Sequence, residues 1–285
     1  MTDRFSRAFP FLFVVLWSTG FIGARLGLPH IEPLTFLLLR YLVVIGSMVV
    51  LALAFRAPWP QTPSAWLHIG IAGLLLHGVY LGGVFIAISW GLPAGVASLV
   101  VGVQPLLTAV GAGWLLGETV LRRQWLGLLL GLAGVALVVV NKIGGTFGVA
   151  ALLPAVAALI GITAGTLYQK RFCPSFDWRT GSVAQVVPTA IVTGLLAWCL
   201  ETGKIDWTGE LVFALGWLVL VLSLGAVSLL NWLIRHSNAV NIASLFYLVP
   251  PCTAVFAWLL FGETFTGLAL VGMVLTVWGV YLARK

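Results

Sequence analysis

Inside the apolar runs of this chain, polar side chains come in spaced pairs. His77 and Tyr80, Ser228 and Asn231, and Ser244 and Tyr247 are each three residues apart, which puts both members on one helix face. Gln104 adjoins Pro105, Gln185 precedes Pro188, and Tyr247 is followed by Pro250-Pro251. These groups can recognise a solute through hydrogen bonds and aromatic faces. The same amides, Gln104, Gln185 and Asn231, also suit interhelical hydrogen bonds worth on the order of 1 kcal/mol each. His77 titrates near neutrality and suits a proton relay, or equally a hydrogen bond to a neighbouring helix. Bond-making chemistry finds no support. The four histidines lie far apart with no carboxylate at mid-run, so neither a catalytic cluster nor a metal site is implied, and no cofactor is expected. Cys173, Cys199 and Cys252 are unclustered and odd in number, which suits apolar filler better than a disulfide framework.

Two residue types remain. Arg40 lies some seven residues into the second apolar run. The favoured reading is snorkelling to the interface; the other is a contact with a substrate carboxylate. Trp17 and Trp90 could wall an apolar pocket, whereas Trp59, Trp66, Trp125, Trp178 and Trp207 read as interfacial belt residues.

Such pairs need elements to hold them, and composition says which. Hydrophobic residues make up 61% of the 285 positions and charged residues 8%, against about 25% charged in soluble domains. Lipid is therefore the outer solvent. The long unbroken apolar runs match helices of roughly 20 residues rather than the alternating strands of a barrel. Charge, Pro and Gly punctuate ten spans at about 8–27, 34–55, 66–91, 95–116, 124–141, 147–169, 179–200, 211–234, 238–260 and 266–283. The fold class is an all-α membrane protein. With the N-terminus inside, eleven Lys and Arg fall in inner segments, and only Arg25, Lys142 and Lys204 fall in outer ones. That bias predicts both termini in the cytoplasm. The net charge of +7 is dispersed between runs, which fits an anionic leaflet and not nucleic acid.

Self-similarity is the most specific signal. Pro105, Thr108, Ala109 and Val110 recur 145 residues later as Pro250, Thr253, Ala254 and Val255. Gly117-Glu118-Thr119 recurs as Gly262-Glu263-Thr264, and Gly127 and Gly134 fall on Gly272 and Gly279. The halves are 1–145 and 146–285. Each contains five spans, so the second must enter the membrane from the opposite side. Inverted repeats are a common transporter design. The matched breaks at Pro105 and at Pro250-Pro251 point to a midplane site with gating there. Glu118 and Glu263 suit caps of the helices that follow them. Gly127-x-x-x-Gly131 serves close packing, within a monomer or between two.

The chain resembles the drug/metabolite transporter superfamily, specifically its ten-helix EamA-type exporters. The resemblance rests on Trp17-Ser18-Thr19-Gly20-Phe21 with Arg25, on Arg40, and on Pro105 and Gly117-Glu118-Thr119 with their second-half copies. It covers essentially the whole chain. It implies export of amino acids or related metabolites across a bacterial inner membrane, most like the bacterial amino-acid exporter branch. In the sixth helix Ile162-Thr163-Ala164-Gly165-Thr166 replaces the Trp-Ser-Thr-Gly-Phe run, so a cavity lined unequally by the halves is expected. The substrate-binding set is Trp17, His77, Tyr80, Gln104, Gln185, Asn231, Ser244 and Tyr247. All eight Asp and Glu lie in loops, tails or span ends, which disfavours a proton-carrying carboxylate and favours facilitated export by alternating access. Drug, nucleotide-sugar or phosphosugar transport on the same fold is the alternative, and a passive channel or an intramembrane enzyme the more distant one. The expected partners are a small-molecule substrate and membrane lipids, around a monomer or homodimer.

Overall fold

The computed structural model describes residues 8–139, 148–173, 175–261 and 266–284. Arg4, Arg7, Lys142, Lys285, the second Gly-Glu-Thr turn and the boundary at 145 lie outside them. Among the described residues, ten helices are long and apolar enough to cross a membrane. They are α1 (Phe9–Gly27), α2 (Pro33–Ala54), α3 (Pro63–Ser89), α4 (Val96–Leu116) and α5 (Arg122–Val139). The second half supplies α6 (Val149–Phe172), α7 (Trp178–Leu200), α8 (Gly209–His236), α9 (Ala239–Leu260) and α10 (Gly267–Arg284). Each boundary lies within a few residues of its place in the hydropathy pattern.

Repeat-related helices are built alike. At the starts of α3 and α8, a threonine hydroxyl caps the first turn: Thr62 accepts from the Ala65 amide and Thr208 from the Leu211 amide, both at 3.2 Å. Such caps contribute about 1 kcal/mol each. Both helices then widen into π-helical segments, Leu74–Val79 and Leu218–Ala226. A π turn shifts backbone pairing by one residue and often marks a functional site. The matched breaks are also present. In α4 the helix stops at Val101 and resumes at Gln104, with Pro105 in the new first turn. In α9 it passes through a 3₁₀ turn at Phe246–Leu248 before Pro250. Proline lacks the amide to continue the ladder but is well tolerated in a first turn.

Packing decides the role of the glycines. A Cβ on Gly127 would lie 2.5 Å from the Gly279 carbonyl oxygen, and one on Gly134 would lie 2.6 Å from that of Gly272. The small-residue face of α5 therefore closes on α10 inside one chain, and the two helices run antiparallel. Gly20 of α1 similarly receives Leu222 of α8, while Gly165 of α6 receives Leu76 of α3. The main core joins α1, α2, α3, α7 and α8. A smaller one gathers α4, α5, α9 and α10 around Leu128 and Tyr247.

Three residues stand differently from what the sequence predicts. Trp90 ends α3 and is 58% exposed, so it walls no interior pocket. Cys199 is exposed, not filler. Glu118 accepts from the Ala239 amide at 3.0 Å, so it caps α9 and not the α5 that follows it.

Candidate functional site

A small cavity of about 30 Å³ opens within the larger core, bounded by Trp17 and Gly20 of α1, Arg40 of α2, Tyr80 and Phe85 of α3, and Leu222 of α8, among others. The Trp17 and Tyr80 rings stack across it at 6.4 Å, 9° from parallel. Phe246 of α9 sets its edge against Trp17 at 5.4 Å. No residue of α6 lines this cavity. Ile162 holds the place in α6 that Trp17 holds in α1 and is fully buried, which gives the unequal lining its physical basis.

Arg40 departs from the sequence reading. It does not snorkel: the residue is 2% exposed and forms part of the wall of this cavity and of a second, tighter one of about 10 Å³. Its Nε donates to Ser223 Oγ at 3.0 Å, and that hydroxyl in turn donates to the Leu218 carbonyl five residues back at 3.1 Å. Among the described residues, no carboxylate pairs with it. A buried guanidinium without a counter-ion is costly, and charges inside a span usually serve a solute path. The wall of this small cavity thus carries a buried cation beside the Trp17 and Tyr80 rings.

The second cavity lies against Tyr41, His77 and Ser182. Tyr41 Oη donates to the His77 carbonyl at 2.8 Å, within the widened segment of α3. The His77 ring is buried beside Gln185. From Gln185 a chain of amides runs through the core. Gln185 Nε2 donates to Gln169 Oε1 at 2.8 Å, and Gln169 Nε2 donates to Asn231 Oδ1 at 2.9 Å. Gln169, Tyr41 and Ser223 were missed in the sequence. Gln169 was hidden at a span end beside Lys170-Arg171, and nothing short of the fold shows that it meets two other amides.

The remaining predicted residues lie elsewhere. Gln104 Nε2 donates to Thr108 Oγ1 at 3.3 Å, and Ser244 Oγ to the Asn241 carbonyl at 2.9 Å. Tyr247 lies over Gly131 of α5. None of the three lines the cavities described above. The break in α9 is instead used to hold α1. Ser18 Oγ donates to the Val249 carbonyl at 3.3 Å, and Thr253 Oγ1 donates to the Ser18 carbonyl at 3.2 Å. Pro105, Pro250 and Pro251 are thus at interruptions in the helices, away from the aromatic walls.

One end of the bundle is tied by hydrogen bonds between the α1–α2 and α7–α8 connections. Ile31 and Ile205 form an antiparallel bridge. Glu201 accepts from the Leu34 and Thr35 amides and from Thr35 Oγ1, each at 2.7 Å. Glu32 accepts from the Thr202 and Gly203 amides at 2.9 and 2.8 Å and from Thr202 Oγ1 at 3.0 Å. The backbone amide of Thr202 leads the causes that hold the Glu32 carboxyl below its ordinary value. At the other end, hydrogen bonds from the adjacent Arg179 side chain lower Asp177, and burial pushes the Cys173 thiol up to about 11.

A family model described as the EamA-like transporter family matches residues 8–140 and again 149–284. The "Probable amino-acid metabolite efflux pump" of Salmonella typhimurium is 28% identical over 95% of this chain and 92% of that protein. Its Escherichia coli namesake is 26% identical over 95% and 92%. The "Uncharacterized inner membrane transporter YedA" of Escherichia coli is 26% identical over 95% and 90%. A solved crystal structure superposes with a TM-score of 0.79 over 98% of this chain and 96% of that one, at 23% identity; this likeness speaks to the fold.

Proposed function

This chain belongs to the EamA-like transporter family, and from that premise we propose that it exports amino acids or related carboxylate-bearing metabolites across a bacterial inner membrane. The observation that carries the reading is Arg40, a buried cation with no carboxylate partner among the described residues, on the wall of a cavity faced by Trp17 and Tyr80. A substrate carboxylate would accept from the guanidinium, and an apolar or aromatic side chain would lie against the stacked rings. Charge-assisted hydrogen bonds of this kind contribute about 1.5–3 kcal/mol. His77 borders the second cavity, Gln185 lies beside it, and Asn231 stands at the far end of the amide chain. We assign Gln104, Ser244 and Tyr247 to packing around the helix breaks, and Pro105, Pro250 and Pro251 to flexing points.

Alternating access is supported by the pairing of repeat-related helices. In an inverted repeat, equivalent helices run antiparallel, as the mutual contacts of Gly127 with Gly279 and Gly134 with Gly272 require of α5 and α10. The first connection of the first half also meets the second connection of the second half, at Ile31 and Ile205. The charge bias sets both termini, and so the α2–α3 end, in the cytoplasm. Every described Asp and Glu lies in a connection or, for Glu210, in the first turn of α8. That supports facilitated export without a carboxylate proton carrier.

The test compares phenylalanine with phenylalaninamide in proteoliposomes. Wild-type protein transports the acid in preference to the amide. Arg40→Gln raises KM for the acid by roughly 10- to 100-fold and leaves the amide nearly unchanged. Equal loss for both compounds, or transport of neither, removes the carboxylate assignment. Strict dependence on a pH gradient removes the uncoupled one.

A further inference from the structure

Beyond the central path, a groove opens on the flank of the bundle between α1, α7 and α8. It holds a volume of about 400 Å³, and its walls include Phe9, Leu12, Trp178 and Trp232. Three of the α8 side chains that line it carry hydrogen-bond donors at the helix face: Ser228, Asn231 and Arg235. Their spacing of three and four residues places them on one face. Ser228 Oγ, Asn231 Nδ2 and Arg235 Nε are each buried without a hydrogen-bond partner. Asn231 itself is 2% exposed. Unpaired buried donors are rare, because each forfeits its hydration. Three along one groove describe a complementary ligand that brings acceptors in a row.

The arrangement also says what kind of ligand. Arg235 sits near the end of α8, one residue before the last. Its Nη2 donates to the Phe176 carbonyl, and its guanidinium stacks over the Phe176 ring at 4.3 Å, so the group is held in place with Nε left over. The neighbouring carboxylate, Asp177, is occupied by Arg179 at 2.8 Å. His236, on the next residue, is turned to the Trp232 carbonyl at 2.8 Å. At 1.5 Å of rise per residue, Asn231 lies roughly 6 Å deeper than Arg235 and Ser228 about 10 Å deeper. The result is an anion seat at the membrane surface, neutral donors a turn or two below, and aromatic and aliphatic walls alongside.

We propose that this groove seats one acidic glycerophospholipid. Its phosphate accepts from Arg235, its ester carbonyls accept from Asn231 and Ser228, and an acyl chain runs along Phe9, Leu12 and Trp232. Basic pockets between membrane helices hold anionic headgroups in this way. In the orientation proposed above, the seat faces the inner leaflet. Lipid retention is measured without transport, so its failure and that of the export reading are distinguishable.

The experiment is native mass spectrometry of the delipidated full chain, titrated with phosphatidylglycerol or phosphatidylcholine of the same acyl chains. One phosphatidylglycerol is retained per protein, with roughly tenfold preference over phosphatidylcholine. Arg235→Gln removes the preference. Ser228→Phe fills the groove and removes the bound lipid while leaving the guanidinium in place, which keeps the test decisive should the arginine variant fail to fold. Equal retention of the two lipids, or undiminished retention in Ser228→Phe, overturns the proposal. Displacement by inorganic phosphate or glycerol 3-phosphate would make this a free-phosphate site and overturns it too. Displacement by phenylalanine would give the groove to the substrate path and likewise overturns the lipid seat.

Discussion

The two ends of the bundle use duplicated connections in unequal ways. The α1–α2 and α7–α8 connections meet at one end, and their repeat counterparts, α6–α7 and α2–α3, meet at the other. At the first, two glutamates exchange roles. Glu32 is the residue at the start of α2 but makes no cap there; its carboxylate reaches the amides of Thr202 and Gly203. Glu201, from the end of α7, caps α2 in its place. At the second end, Thr180 Oγ1 donates to the Pro58 carbonyl at 2.7 Å, and Arg179 lies over the Phe55 ring at 5.5 Å. Glu118 and Lys170 also act at that end, but the counterpart of Glu118 lies outside the described residues. A common duplicated plan therefore gives a latched seam at one end and a lightly tied one at the other. Between these two pairs of connections, carboxylates that cross to backbone donors make the difference, since they are worth about twice a neutral hydrogen bond; the Glu118 cap of α9 is a separate contact at the lighter end.

Breaking the latch should give the largest effect. Glu201→Ala leaves two helix-end amides and a hydroxyl without their acceptor, a loss of about 1.5–3 kcal/mol. Amide exchange at Leu34 and Thr35 should rise roughly 10- to 150-fold. No rise there would mean that the carboxylate does not hold the seam.

Acidification tests the other half of the exchange. The carboxyl of Glu32 is lowered in the folded protein, so its contribution is present above the unfolded value and is lost as pH falls through the folded one. Exchange at Thr202 and Gly203, corrected for the intrinsic rate, should stay flat from pH 8 to about 5. It should accelerate only below the ordinary glutamate value of 4.5, and Glu32→Gln should flatten the profile.

At the lightly tied end, Thr180→Val removes one hydrogen bond to a carbonyl, worth about 0.5–1.5 kcal/mol. Exchange in the segment around Pro58 should rise about 2- to 10-fold, well short of the Glu201 effect. An equal response at the two ends would abolish the contrast. The smallest change belongs to Glu210→Gln. Its contact with His30 at 3.3 Å is on the surface, and such pairs contribute about 0–1 kcal/mol. Seam exchange should stay within roughly fivefold of wild type.

How much of the site was legible differs by residue. The breaks at Pro105 and Pro250 were readable because a missing amide weakens the helix ladder, although Pro188 sits inside an unbroken α7. Trp17, His77 and Tyr80 were readable because helical spacing puts polar and aromatic groups on shared faces. Gln104 and Tyr247 looked equivalent by the same rule, yet they pack among α4, α5 and α9. A period gives the face of a helix but not which neighbour covers it. The π-helical segments that carry His77 and Ser223 left no pattern to read, because one extra residue per turn shifts the register without changing composition.

By itself the sequence determined that this is a membrane chain, that ten of its segments are long and apolar enough to cross the bilayer, and that related motifs recur in its two halves. Those follow from charge scarcity, run length and a constant offset, which are properties of the chain alone. Tertiary structure decided the rest. It turned Arg40 from a residue expected at the interface into a buried cation on a cavity wall. It closed the glycine face of α5 on α10, and it handed the cap of α2 to a glutamate 167 residues from Leu34. Each depends on which surfaces meet, and that is set by packing between segments distant in sequence.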